Sequence, residues 1–256
     1  MHVTVLMAVY NGRNSVLNAV ESIINQTYDD WDFLIVDDAS TDGTSELLQS
    51  LAARDARITV IKNPINRQLA ASLNIGWRQA CGELIARMDA DDISLPERLE
   101  RQVEFMQAHP DVAVLGTGAE LVDEAGQSLG IAFRPAEHEV LAAKIYKECP
   151  FIHPSVMIRR SFLEALGGYD ERRSGAEDYD LWLRAYTRFR FHNLQEALVR
   201  YRVRRTVFLK RILVTILVLV RAAYRDKHLL TGGWYALRLL LAATLTKMGL
   251  YWTRLR

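Results

Sequence analysis

Asp89, Asp91 and Asp92 crowd together directly behind the apolar run Leu84-Ile85-Ala86. Carboxylates this close repel one another unless a cation holds them, and ligation by oxygen alone suits Mg²⁺ or Mn²⁺. A strand over residues 84–88 would end at these acids and set them in the crevice beyond its carboxyl end, where open α/β sheets bind ligands. A divalent ion there can grip the diphosphate of a nucleotide-activated substrate. An isolated Asp-x-Asp is more simply a solvated acidic turn, so the weight falls on what accompanies it.

Two other polar strings close apolar runs in the same way. Tyr10-Asn11-Gly12 follows the run 3–9, and Asp37-Asp38-Ala39-Ser40-Thr41-Asp42-Gly43-Thr44 follows the run 33–36. A nucleotide needs an aromatic face for its base and an acceptor for the base N–H groups, which Tyr10 and Asp38 can supply. Each string alone is ordinary turn chemistry; three at one sheet edge are harder to explain that way. Glu177-Asp178 opens a later helical pattern over 177–189. On spacing alone, these acids simply complement a helix N-terminus.

The elements that must hold these residues alternate. Strands at 3–9, 33–36, 58–61, 84–88 and 112–115 are separated by helical patterns, the first with Val16, Val20, Ile23 and Ile24 on one face and later ones at 46–53 and 68–80. Ser94-Leu95-Pro96-Glu97 has capping-box spacing and predicts a helix from there to about residue 109. The alternation predicts an α/β fold with a mixed, mainly parallel sheet covered by helices. Beyond Gly116 the pattern changes to a hairpin of 120–122 and 130–133 about Glu124-Ala125-Gly126. A strand at 155–158, a short helix at 161–166 stopped by Gly167-Gly168, and a closing segment at 197–203 follow.

Half of the 256 residues are hydrophobic and a quarter charged, enough for one large packed domain or one domain plus an appendage. Cys81 and Cys149 lie far apart with no C-x-x-C, which excludes a cysteine zinc cluster and fits a reducing compartment. The first residues lack the pattern of a signal peptide. From Arg200 onward there are 13 lysines and arginines against one acid, Asp226, whereas residues 1–199 carry an acidic excess. The segment 207–224 is mostly apolar, with Lys210, Arg211, Arg221 and Arg225 read onto one helical side. The uncharged run 212–220 is shorter than the roughly 20 residues a bilayer requires. Residues 207–256 are therefore expected to lie on an anionic membrane surface, ahead of packing on the body or on a second subunit.

With these motifs in view, the sequence resembles the family 2 glycosyltransferases of GT-A fold. The resemblance rests on VTVLMAVYNG (3–12), VDDASTDGT (36–44), the stretch from Asn66 to Asp92 ending GELIARMDADD, HPSVMIRR (153–160) and GGYDERRSGAEDYDLWLR (167–184). It spans residues 3 to about 203, and departs from the family at Ala8, where members usually carry proline. It is specific for the family and poorly so for the sugar.

The resemblance implies a domain over 1–203, with a nucleotide-binding half at about 1–116 and an acceptor half at 117–203, and a basic tail over 204–256. It makes Asp38 the acceptor for the nucleobase, with Tyr10 and Asn11 near base and ribose. Asp89 contacts the ribose side, Asp91 binds the Mn²⁺ or Mg²⁺ that bridges the phosphates, and Arg67 adds a nucleotide contact. Asp178 becomes the general base, and the reaction a single displacement with inversion. His153 is read as a metal or phosphate contact or a core histidine, and Trp182 as acceptor lining or core.

The donor expected is a nucleoside-diphosphate sugar, with UDP first and GDP or dTDP open. The acceptor expected is a saccharide or lipid-linked saccharide at the cytoplasmic membrane face. No nucleic acid partner is expected, and a homo-oligomer is left open. The Gln-x-x-Arg-Trp of processive synthases is not matched by Gln195 and Arg200-Tyr201, which points to single-sugar addition. A degenerate nucleotide-sugar-binding or scaffold protein is the alternative. A phosphatase using Asp89 as nucleophile fails at the Asp92-Ile93 continuation, and a dinucleotide site fails because Leu121 stands where a third glycine is needed.

Overall fold

The computed structural model describes residues 1–203, 209–227, 233–235 and 237. Strands β1 (Val3–Val9), β2 (Trp31–Asp37), β3 (Ile58–Lys62) and β4 (Leu84–Asp89) pair in parallel in the order β3-β2-β1-β4. Every residue of β1 is buried, as expected of a central parallel strand covered on both faces. Its side chains alternate between two cores. Val3, Val5 and Met7 pack on the side of helices α1 (Val16–Ile24) and α2 (Thr44–Ala52), while Leu6 and Ala8 face helix α3 (Gln68–Gln79).

The register decides where the chemistry goes. Ala8 lies opposite both Val36 and Asp89, and Val9 opposite Asp37, so β1, β2 and β4 end level at one edge. The polar strings that follow them emerge side by side.

Beyond β4 come β5 (Ile93–Ser94), α4 (Arg98–Ala108), β6 (Val112–Val122), β7 (Ser128–Ala132), α5 (His138–Lys144) and β8 (Met157–Arg159). They are followed by α6 (Arg160–Leu166), α7 (Glu177–Ala185), β9 (Arg190–Arg202) and α8 (Leu209–Arg225). The sheet continues β4-β8-β6-β9-β5, with β7 on the flank of β6. β8 runs antiparallel to both β4 and β6, and β6 and β9 pair in parallel. The hairpin expected beyond Gly116 is present as β6 and β7, but β6 is one strand from Val112 to Val122.

The capping box expected at Ser94 does not form. Helix α4 starts only at Arg98, and the Ser94 hydroxyl instead accepts from Arg98 Nη1 at 2.9 Å. Arg98 is fully buried and also donates to the Arg87 carbonyl at 2.7 Å and to Gln102 Oε1 at 3.1 Å. Burial, with Arg87 nearby, pushes its guanidinium down to about 9. This arginine ties β4, β5 and α4 together beneath the acid-bearing edge.

Helix α8 packs on the body with Val218, Leu219, Ala222 and Ala223, which join the cluster formed by α7 and its neighbours. Arg225 pairs with Asp226 at 2.6 Å and donates to the Leu183 carbonyl of α7; it is exposed and lines one cleft with Arg221, four residues before it. The opposite side exposes Leu213, Leu217, Val220 and Tyr224. No helix among the described residues is long and apolar enough to cross a membrane. Most of residues 228–256 lie outside the described residues.

Candidate active site

The aligned ends of β1 and β2 are braced against each other. Asn11 donates its backbone N–H to Ser40 Oγ at 2.9 Å, and its side-chain oxygen accepts from the Thr41 N–H at 2.9 Å. Gly12 donates to Thr44 Oγ1 at 2.9 Å, and Arg13 to Asp42 Oδ2 at 3.1 Å. Asn11 and Ala39 hold φ of 53° and 62°, a left-handed conformation uncommon outside glycine, which this bracing enforces. Tyr10 stays half exposed at the rim and lines a small cleft with Asn11, Asp89 and Asp91.

Asp38 is buried and already well supplied with donors. Its Oδ1 accepts from Asn63 Nδ2 and the Arg67 N–H, and its Oδ2 from the Gln68 N–H, each at 2.8 Å. The carboxylate thus serves the N-terminus of α3, and of about four acceptor positions one is left over. Arg67 contributes its backbone to this arrangement, while its side chain is exposed.

One carboxylate oxygen from each of Asp89, Asp91 and Asp92 lies within 4.8 Å of the other two. This oxygen-only donor set fits a hard divalent cation. The three acids differ in surroundings. Asp89 pairs with Arg87 Nη2 at 2.5 Å. Asp92 is 1 % exposed, accepts the Arg202 N–H at 2.8 Å, and keeps Oδ2 buried with no protein partner. Burial, reinforced by the charge of Asp89, drives its carboxyl up to about 8.

Across a cleft of about 960 Å³ from Asp89 stand Glu177 and Asp178, at the first turn of α7. Glu177 is buried and accepts the Gly175 N–H at 2.5 Å; burial, then the neighbouring Asp178, raises its carboxyl. Asp178 is the more open of the pair, with Oδ2 4.0 Å from His153 Nδ1. The other ring nitrogen of His153 meets Tyr169 Oη at 3.1 Å. His153 therefore sits beside the candidate base. Trp182 is fully buried against Phe151 and Phe162, and is core.

The loop before α7 is fixed from α3. Asn74 donates to the Tyr169 carbonyl at 2.9 Å and accepts the Tyr169 N–H at 3.0 Å. Gly168, at φ 80°, lies where an added Cβ would come within 2.4 Å of Trp77 Nε1. The far wall of the cleft is mostly apolar, with Leu121, Ala132, Ile152, Tyr201 and Val203 beside Arg134.

Comparison with known proteins decides the family. The family model "Glycosyl transferase family 2" matches residues 4–167. The chain is a family 2 glycosyltransferase. It is 41% identical to EpsE of Bacillus subtilis over 213 residues, covering 82% of this chain and 76% of that protein. It is 33% identical to the O-antigen biosynthesis glycosyltransferase WbnJ of Escherichia coli, covering 78% and 79%. The fold of this glycosyltransferase also matches that of Staphylococcus aureus TarS residues 1–349, with TM-score 0.70 and 21% identity, covering 91% of this chain and 70% of that one. It likewise matches the mannosyltransferase PcManGT from Pyrobaculum calidifontis, solved with GDP-Man and Mn²⁺, with TM-score 0.69 and 20% identity, covering 96% and 75%.

Sequence reasoning placed the acids of this glycosyltransferase but missed its buried arginines. Arg87 is 2 % exposed and stands two residues before Asp89 on the same face of β4. That spacing was the available signal. Arg98, four residues after Ser94 inside an otherwise polar helix start, gave none.

Proposed function

We propose that the protein transfers a single sugar, with inversion, from a nucleoside diphosphate to a saccharide or lipid-linked saccharide. The observation that carries this reading is one cleft with Asp89 on one side and Asp178 on the other. Asp178 accepts the proton of an acceptor hydroxyl as its oxygen attacks the anomeric carbon and the bond to the diphosphate oxygen breaks. A divalent cation bound by Asp91, with Asp89 and Asp92 beside it, would stabilise the departing diphosphate as a Lewis acid. Tyr10, Asn11 and the remaining acceptor position of Asp38 bind base and ribose, with Arg67 at the same rim. UDP is the first donor to test.

The acceptor is presented at the cytoplasmic membrane face, where residues 207–256 meet anionic lipid. Leu213, Leu217, Val220 and Tyr224 form one exposed stripe on α8 with exposed Arg221 beside it, which supports this reading. Envelope polysaccharide synthesis is the setting proposed, in line with the similarity to the O-antigen biosynthesis glycosyltransferase WbnJ.

Calorimetry with UDP, GDP and dTDP, with and without Mn²⁺, tests the donor site. Cation-dependent binding of one nucleotide that disappears in Asp91→Ala supports the reading. Binding of none of them to folded protein favours the degenerate alternative.

A further inference from the structure

Arg87 is a cation buried among acids, and only part of it is used. Its Nη2 pairs with Asp89 Oδ1 at 2.5 Å, and its chain carbonyl accepts from Arg98. Nε and Nη1 are buried without a protein partner, although the residue lines the cleft. The charge of Arg87 also acts on Asp92, on Glu177 and on the Tyr169 hydroxyl. It therefore faces acids of the β4 edge and of α7 together. Three N–H bonds on these two nitrogens are left unmatched in so buried a place, which is costly and leaves the charge of Arg87 poorly compensated.

We propose that Arg87 is the internal counter-ion of the cleft: it disfavours a free divalent cation at Asp89 and Asp91 and favours a cation that enters with an anionic diphosphate. The inference rests on the reading of Asp89 and Asp91 as the cation and donor site. A fixed positive charge beside Asp89 weakens attraction for a lone Mn²⁺ by like-charge repulsion. The diphosphate of a donor brings negative charge of its own, which reverses that penalty. Arg87 is thus a positioning residue for the acids and a selector for the order of loading. Before loading it keeps Asp89 ordered; after loading its charge is offset by the diphosphate.

Calorimetry on the full chain tests this, with Mn²⁺ alone, UDP alone, and Mn²⁺ in the presence of saturating UDP. In the unaltered protein Mn²⁺ should bind at least about tenfold more tightly when UDP is present. In Arg87→Met, Mn²⁺ alone should bind about tenfold more tightly than in the parent, and the gain from UDP should shrink. Arg87→Lys, which keeps the charge, should restore weak binding of Mn²⁺ alone. A merely structural role would weaken both ligands together. If the parent protein binds Mn²⁺ equally well with and without UDP, the inference is overturned without recourse to any variant. Parent-like Mn²⁺ affinity in a folded Arg87→Met overturns it too, while the cation site itself stands. If the parent binds no Mn²⁺ under either condition, the cation reading of Asp89 and Asp91 falls, and this inference with it.

Discussion

Tyr146 donates a 2.6 Å hydrogen bond to Asp226, 80 residues further along the chain. Tyr186 donates to the same carboxylate oxygen at 3.1 Å, so the end of α8 is anchored to the body by two phenols. Burial tends to raise the Asp226 carboxyl, but the Arg225 guanidinium and the two tyrosines outweigh it and lower it. A depressed carboxylate contributes stability above its unfolded value, and that contribution is lost as pH falls through the folded one. Asp226→Asn should therefore expose the amides of α8 to hydrogen exchange at pH 7, at a cost of about 1–3 kcal/mol. The difference from the parent should narrow towards pH 3. Unchanged exchange at pH 7 would show that apolar contacts alone hold the helix.

Asp178→Asn should lower kcat by about two to four orders of magnitude while leaving nucleotide affinity within about twofold. Steady-state transfer assays beside UDP titrations check this. Parent-like turnover would move the base elsewhere, with Glu177 the next residue to replace.

Gly168→Ala should destabilise the fold by roughly 2 kcal/mol, because alanine is strained at φ 80° and its Cβ meets Trp77 and Asn74. Urea unfolding measures it. A parent-like midpoint would mean that the loop leading to α7 shifts freely, which would also loosen the placement of Asp178.

His2 offers a pH test remote from the cleft. Burial opposes its protonation, but hydrogen bonds and charges from Asp30 and Asp32, at 2.7 and 3.0 Å, outweigh burial and raise it. A raised histidine contributes stability below its unfolded value and loses it as pH rises through the folded one. His2→Gln should thus lower Tm more at pH 5.5 than at pH 8.5. An equal loss at both pH values would assign the effect to packing.

The outer stripe of α8 can be broken without touching its buried face. Leu217→Asp with Tyr224→Asp should reduce sedimentation with anionic liposomes while UDP binding is retained. Sedimentation equal to the parent would remove this stripe from the membrane reading.

The parallel half of the sheet was legible because its strands are mostly apolar and run into polar residues, as in Met7-Ala8-Val9-Tyr10-Asn11. What sequence spacing hid were structures fixed by distant partners. Asp38 reads as a nucleotide acceptor, yet it is held by the Arg67 and Gln68 amides about 30 positions on. Ser94 has the spacing of a helix cap, but Arg98 and β9 take it for the sheet. Helix α5 leaves no helical period in the sequence, because Leu141 is its single buried residue. β9 was seen only as 197–203: it begins at Arg190, and its buried positions, such as Phe191, Asn193, Leu198 and Val199, break strict alternation.

The cross-bracing between the residue 11–13 and 40–44 loops has a consequence for how fast and how tightly a nucleotide is captured. Because Asn11, Gly12 and Arg13 are already bonded to Ser40, Thr41, Asp42 and Thr44, their backbone freedom was surrendered when the chain folded. A ligand arriving at this rim meets a preorganised edge and need not restrict those residues a second time. Loosening one brace, as in Ser40→Ala, which removes the acceptor of the Asn11 N–H, should leave the groups that touch the nucleotide in place and yet weaken its capture through an entropic penalty alone.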